Sequence, residues 1–268
     1  MTILKDIFSI MEEIAPPRYA SDWDSIGLQA GNPLAEAKGI MIALDPSVEA
    51  VNETAAKGLN LLITHHPLLF SEIKSIDLSK PIGRIIKAAI KLDVAIFSAH
   101  TNLDAARGGV SDMLADTLDI KDLSPLQKAK DADDDLVGIG RIGRFIDKPS
   151  LSDVVDRLKI RLALDKVRVI GDMDKIIERV ALCGGSGGSL IDDASQMKAD
   201  LYISGDINYH RAKDAEDLGL AIIDIGHFSS EKCLIDGLAK KLKEKIKPEQ
   251  GAIPILAFGR EKEPFTIL

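Results

Sequence analysis

The chain contains five histidines, His65, His66, His100, His210 and His227, and all of them sit in four short motifs at the ends of apolar runs. Thr64-His65-His66-Pro67 is the most telling. Neighbouring side chains on a strand point in opposite directions, so two adjacent ligands emerge together only where the strand breaks, and Pro67 supplies the break. Two further histidines each precede a carboxylate by four positions: Ala99-His100 with Asp104, and Gly226-His227 with Glu231. Such a pair meets on one side if the chain turns helical after the strand. Taken together, His65, His66, Asp104, His227 and Glu231 read as metal ligands. Imidazole and carboxylate without thiolate suit zinc, manganese, iron, cobalt or nickel rather than a structural cysteine zinc site. Five ligands exceed the needs of one open tetrahedral zinc, but they fit two divalent ions sharing a carboxylate. Two ions about 3.5–4 Å apart commonly hold a bridging hydroxide that attacks carbon or phosphorus.

The elements that must carry these residues follow from the apolar pattern. GIMIAL, LNLLITHH, VAIFSAH, RVALCGG, ADLYISGD and LAIIDIGH read as strands buried on both faces. Between them, amphipathic stretches run from Pro81 to Leu92, Val110 to Leu118, Ser152 to Leu162 and Lys232 to Ile246. This alternation predicts an α/β fold with mainly parallel sheets flanked by helices. Ligands collect where such strands end, and the histidines lie there. The matching strand-end pairs at His100 and His227 suggest two related α/β lobes facing each other, with the metal site in the cleft. The expected division is 1–125 and 126–268, with the acidic and glycine-containing DADDDLVGIGRIG as its marker.

Composition narrows the function classes. At 268 residues the chain is long enough for about two domains. Lysine plus arginine number 34 and aspartate plus glutamate 42, a net charge of −8. That balance argues against general binding to nucleic acid or anionic membranes. The first residues form an amphipathic helix stopped by Pro16 and Pro17, unlike a signal peptide, and no apolar run reaches the length of a membrane span. Cys183 and Cys233 read as reduced core thiols, and the expected location is the cytoplasm.

Two loops remain. Cys183-Gly184-Gly185-Ser186-Gly187-Gly188-Ser189 is neither a P-loop nor a dinucleotide fingerprint. It reads either as an anion-binding nest or as a tight strand-to-helix turn needing positive φ. Asp22, Trp23, Asp24 and Gly27 form a polar loop in which Trp23, the only tryptophan, reads by itself as a packing residue.

WDSIGLQAG, ITHHPLLF, AHTNLDAARGG, CGGSGGS, SGDINYHRA, GHFSSE and the terminal EPFTIL occur in the order seen in the Nif-three-like family of dinuclear-metal proteins. This family is also called the GTP cyclohydrolase I type 2 homologues, and the resemblance runs from Asp22 to Leu268. It implies metal ligation by His65, His66, Asp104, His227 and Glu231, with Glu231 as the bridge. It also implies that His100 and His210 line the same cleft, for proton transfer or substrate contact. Ser25 stands where the family usually has asparagine. The chain resembles the compact form without an inserted domain, which implies a homohexamer, a trimer of dimers.

Two functions are expected to compete. One is a metal-dependent hydrolase acting on a small cyclic or phosphorylated metabolite, with His100, His210 and Glu231 as catalytic groups. The other is an adaptor or regulatory protein that binds a protein partner and uses the metal pair for structure or sensing.

Overall fold

The computed structural model describes residues 2–129, 132, 134–246 and 253–266. Asp131 and Asp133 of the acidic segment, and Ile267 and Leu268 of the terminal motif, lie outside the described residues. In chain order the first elements are α1 (Leu4–Ile14), β1 (Gly27–Ala30), β2 (Ile40–Ala43), α2 (Val48–Ala56) and β3 (Leu61–Thr64). Next come α3 (Pro81–Leu92), β4 (Ala95–Ser98), α4 (Thr101–Ala105), α5 (Val110–Leu118), β5 (Lys121–Lys128) and β6 (Gly138–Arg144). The middle holds α6 (Leu151–Leu162), β7 (Arg168–Ile170), β8 (Arg179–Ser186), α7 (Ile191–Gln196) and β9 (Leu201–Gly205). The last elements are α8 (Tyr209–Asp217), β10 (Ala221–Asp224), α9 (His227–Glu231), α10 (Cys233–Lys245) and β11 (Ile255–Ala257).

The residues form two units. Unit 1 comprises Met1–Leu103 and Ile235–Glu261, and unit 2 comprises Asp104–Leu234 and Lys262–Leu268. Residues 104–125 and 235–261 therefore belong to different units from those anticipated by a 1–125 and 126–268 division. Each unit has its own helix-flanked sheet, giving the expected α/β fold.

Unit 1 is built on a sheet of order β1-β4-β3-β2-β11. All its pairings are parallel except β1 with β4. Alternate residues serve opposite faces: Met41, Ala43, Leu62 and Ile96 pack with residues of α2 and α3, including Val51, Ile85 and Ile86. The other face receives α1, where Phe8 stacks on Phe97 at 4.8 Å. Helix α1 buries Leu4, Ile7, Phe8, Ile10, Met11 and Ile14, the apolar stripe of its sequence, and ends just before Pro16. Helix α2 begins at Ser47, whose hydroxyl accepts the Ala50 amide.

Unit 2 has the order β5-β6-β8-β9-β10-β7. Only β8–β9 and β9–β10 are parallel there, so this sheet is mixed rather than mainly parallel. The added antiparallel strands β5 and β6 come from a segment the apolar pattern does not mark. Pro125 is tolerated because β5 lies at the sheet edge. Leu182, Leu201, Ile203, Ala221 and Ile223 face one core with α5 and α6. Ala181, Cys183, Tyr202 and Ile222 face a second core with α7 and α8. On the side of the sheet that faces α5, Arg141 is buried and forms a two-pronged pair with Asp112 at 2.7 and 2.8 Å. Among the described residues, no helix is long and apolar enough to cross a membrane.

Candidate metal centre

In unit 1 the parallel strands β2, β3 and β4 deliver their ends side by side. Strand β3 stops at Thr64, and the chain bends at His65 and His66 as Pro67 requires. The Thr64 hydroxyl donates to the His66 carbonyl at 2.8 Å, and the Ser98 hydroxyl donates to the His65 carbonyl at 2.9 Å. These bonds fix the break, and the two rings come to lie 5.0 Å apart. His100 follows β4, its ring 5.1 Å from His65 and 5.6 Å from His66. One ligand nitrogen from each of the three lies within 4.8 Å of the others.

Each of these imidazoles is oriented from behind. His65 Nδ1 meets the Ala99 carbonyl at 2.9 Å, His66 Nδ1 meets Asp45 Oδ1 at 2.8 Å, and His100 Nδ1 meets Asp24 Oδ1 at 3.0 Å. An oxygen acceptor at Nδ1 demands hydrogen there, which puts the lone pair of each neutral ring on Nε2. That is how ligating histidines are held in metal proteins. Burial and the neighbouring His65 push His100 below the ordinary histidine range, against the upward pull of Asp24. Burial alone would raise the Asp24 carboxyl, but donors on Thr101 and His100 outweigh it and hold the group ionised.

Unit 2 carries a histidine and a carboxylate of its own. Helix α9 starts at His227, so the i,i+4 geometry expected from the sequence forms, and His227 Nε2 lies 3.2 Å from Glu231 Oε1. His227 Nδ1 meets Asp206 Oδ2 at 2.8 Å. The hydrogen bond to Glu231 pushes His227 up to about 9 against the opposing effect of burial, and Asp206 reinforces it. Asp224, buried at the end of β10, accepts from the amides of Ile207 and Gly226 at 3.0 and 2.9 Å and pairs with Arg168. It thereby fixes the turns carrying both Asp206 and His227.

The glycine-rich segment resolves into strand and turn. Strand β8 runs through Ser186, and a 3-10 turn at Gly188–Leu190 leads into α7. Gly185 has φ +65°, and a methyl there would lie 2.3 Å from Glu231 Oε1 and 3.3 Å from His227 Nε2. The amides of Gly185 and Gly187 donate to Ser230 Oγ and Ser204 Oγ at 2.8 and 3.1 Å. Those donors are committed to side chains, which favours the turn over the anion nest. Glycine at 185 keeps room beside the His227–Glu231 pair. Burial, then the carboxylates of Asp104 and Glu231, push the Cys183 thiol up to about 12. It stays protonated and adds no thiolate to the donor set.

His210 lies on α8, exposed, with its ring against Tyr209 at 5.5 Å. Among the described residues it joins no group able to hold a metal. Asp45, Asp206 and Asp224 escape a reading of the sequence. The available signal was an aspartate directly after a buried strand, in ALD and SGD. Trp23 is exposed rather than packed, its ring 5.9 Å from His100.

Each unit therefore carries donors that suit a metal ion: in unit 1 three imidazoles with Nδ1 bonded to oxygen, and in unit 2 a histidine beside a buried glutamate, with no thiolate and a glycine where any side chain would intrude. Fold and site together define a class, an α/β protein with histidine and glutamate groups able to hold a metal ion at the ends of parallel strands. The chain belongs to the Duf34/NIF3 (NGG1p interacting factor 3) family, which it matches over residues 2–264. It is 34% identical to a GTP cyclohydrolase 1 type 2 homolog of Clostridium perfringens over 270 residues, covering 99% of each chain. Among solved structures it is similar to a Bacillus cereus protein related to NIF3, with TM-score 0.94, 26% identity and coverage of 100% and 99%. Reduced HcgD from Methanocaldococcus jannaschii aligns with TM-score 0.80 and 31% identity, covering 96% of this chain and 98% of that one.

Proposed function

We propose that this chain is a metal-dependent hydrolase of a small cyclic or phosphorylated metabolite, working with two divalent ions. His65, His66, Asp104, His227 and Glu231 would hold them. The observation that carries this reading is the common orientation of four histidines, each with Nδ1 bonded to an oxygen acceptor. Bound divalent ions supply Lewis-acid polarisation and bring the pKa of coordinated water toward neutrality. The chain's own residues do the rest. His100, neutral at pH 7 and steadied by Asp24, takes a proton at Nε2. His210, exposed on α8, contacts the substrate. Glu231, buried and 3.2 Å from His227 Nε2, is held in place by that pairing. By family resemblance we extend the proposal to a homohexamer in the cytoplasm.

The test is the metal-to-protomer ratio of the untagged protein after gel filtration, followed by hydrolysis assays on cyclic and phosphorylated metabolites. Two ions per chain, and turnover lost in Glu231→Ala with the fold intact, are expected. No retained metal after reconstitution, or unchanged turnover in that variant, overturns the proposal. Partner binding that survives without turnover would favour the adaptor.

A further inference from the structure

The chain carries only one tryptophan and 4% aromatics, yet two of its large rings are exposed beside the histidine group. Trp23 is 62% exposed and Phe70 55% exposed. Their ring centroids lie 5.9 and 5.7 Å from His100, and both rings stand steeply to the imidazole, at 73° and 74°. Apolar surface left in water is unfavourable by roughly 25 cal/mol per Å², so paired exposure at a reactive group marks a contact surface.

The two loops are also held in place by hydrogen bonds within the chain. Asp24, next to Trp23, accepts from the Thr101 amide and hydroxyl at 3.0 and 2.6 Å and from His100 at 3.0 Å. The Gln29 side chain spans both loops, donating to the Ser25 carbonyl at 3.0 Å and accepting from the Leu69 amide at 3.1 Å. Trp23 and Phe70 are thus carried on tethered segments, and little ordering remains to oppose binding.

We infer that Trp23 and Phe70 are specificity-determining residues, the aromatic walls of a subsite that takes a flat heteroaromatic ring and brings it to His100. Faces and edges of aromatic rings attract another π-system, and His100 Nε2 offers one hydrogen-bond partner to a ring nitrogen or its substituent. A flexible apolar chain would fill the surface without using His100. A sugar phosphate would gain nothing from the indole and phenyl faces. The inference deepens the hydrolase reading and takes from it only the reaction, not the binding.

Trp23, being the sole tryptophan, reports directly on the subsite by fluorescence. The full-length protein would be titrated with inosine, and with ribose 5-phosphate as the probe lacking a flat ring. The expected result is a saturable change with inosine and none with ribose 5-phosphate. Phe70→Ala should weaken the inosine response about fivefold or more, and Phe70→Tyr should restore it. A non-saturable change, an equal response to both probes, or an unaltered affinity in Phe70→Ala overturns the inference. So does a shift of Trp23→Ala to a smaller species on gel filtration, since the rings then join copies of the chain. Elemental analysis of the same samples separates the two readings. Ring binding without metal leaves the inference standing and removes the hydrolase. Two ions without ring binding do the reverse.

Discussion

The carboxylate of Asp206 holds Nδ1 of His227 at 2.8 Å across 21 residues of sequence. Unit 1 repeats the device: Asp45 holds Nδ1 of His66 at 2.8 Å, again 21 residues apart. In both cases the aspartate follows one strand and the histidine follows its parallel neighbour, β2 and β3 or β9 and β10. One strand–helix–strand unit thus positions one oriented imidazole in each half of the molecule.

Removing the charge behind either imidazole should weaken metal binding. Asp45→Asn and Asp206→Asn are each expected to lower affinity about 10–100-fold, because partners behind a ligand set its orientation and basicity. Competition against a chelator measures this directly. Affinity equal to that of the unaltered protein would assign these aspartates to the surface alone.

Gly185→Ala should damage the site and the fold together. The added methyl falls 2.3 Å from Glu231 Oε1 on a backbone at φ +65°. Left-handed backbone alone costs a non-glycine residue about 1–2 kcal/mol, and the collision adds to it. A lower Tm and reduced metal content are expected, whereas Gly219→Ala, at φ +68° with open space around it, should lower the Tm alone.

The metal-free protein should show a defined pH dependence. His227 rises to about 9 when folded, from an ordinary value of 6.5, so its pairing stabilises fully below about pH 6.5 and is lost as pH climbs through 9. Metal affinity runs the other way, because the ion must displace that proton, and uptake tightens toward pH 9. Urea denaturation of chelated protein at several pH values tests the first trend. Glu231→Gln should flatten it.

Asp112 makes a stability prediction away from the site. Asp112→Ala would leave the buried Arg141 guanidinium without its carboxylate, a loss of about 3–5 kcal/mol. Replacing Arg141 by methionine together with Asp112→Ala should recover part of that loss. Chemical denaturation of the single and double variants decides it.

Much of this centre is legible in the residues themselves. Adjacent histidines opening into Pro67, and carboxylates one helical turn after His100 and His227, announce donor chemistry through local spacing. The strands that carry them are uninterrupted apolar runs. The hairpin of β5 and β6 is not legible, because KDLSPLQK contains proline and charge and GIGRIGR is rich in glycine; pairing across the sheet overrides both. The orienting aspartates are hidden for another reason. Their partners lie 21 residues away, and the intervening helix hides the adjacency that parallel pairing creates. Trp23 misleads because tryptophan is so often buried, and only the tertiary structure reveals an exposed ring.

Strand β11 closes the sheet of unit 1 by pairing with β2, and Glu261 accepts the amides of Leu44 and Asp45 at 2.8–2.9 Å. The first unit to begin is therefore the last to be completed. During synthesis, the main span of unit 2, residues 104–234, leaves the ribosome before the edge strand of unit 1 exists. The exposed edge of β2 waits for a strand more than 200 residues downstream, a long interval in which a β-edge can pair wrongly. Loss of the last two dozen residues should therefore open the β2 edge and loosen the Asp45–His66 pair while sparing the Asp206–His227 pair.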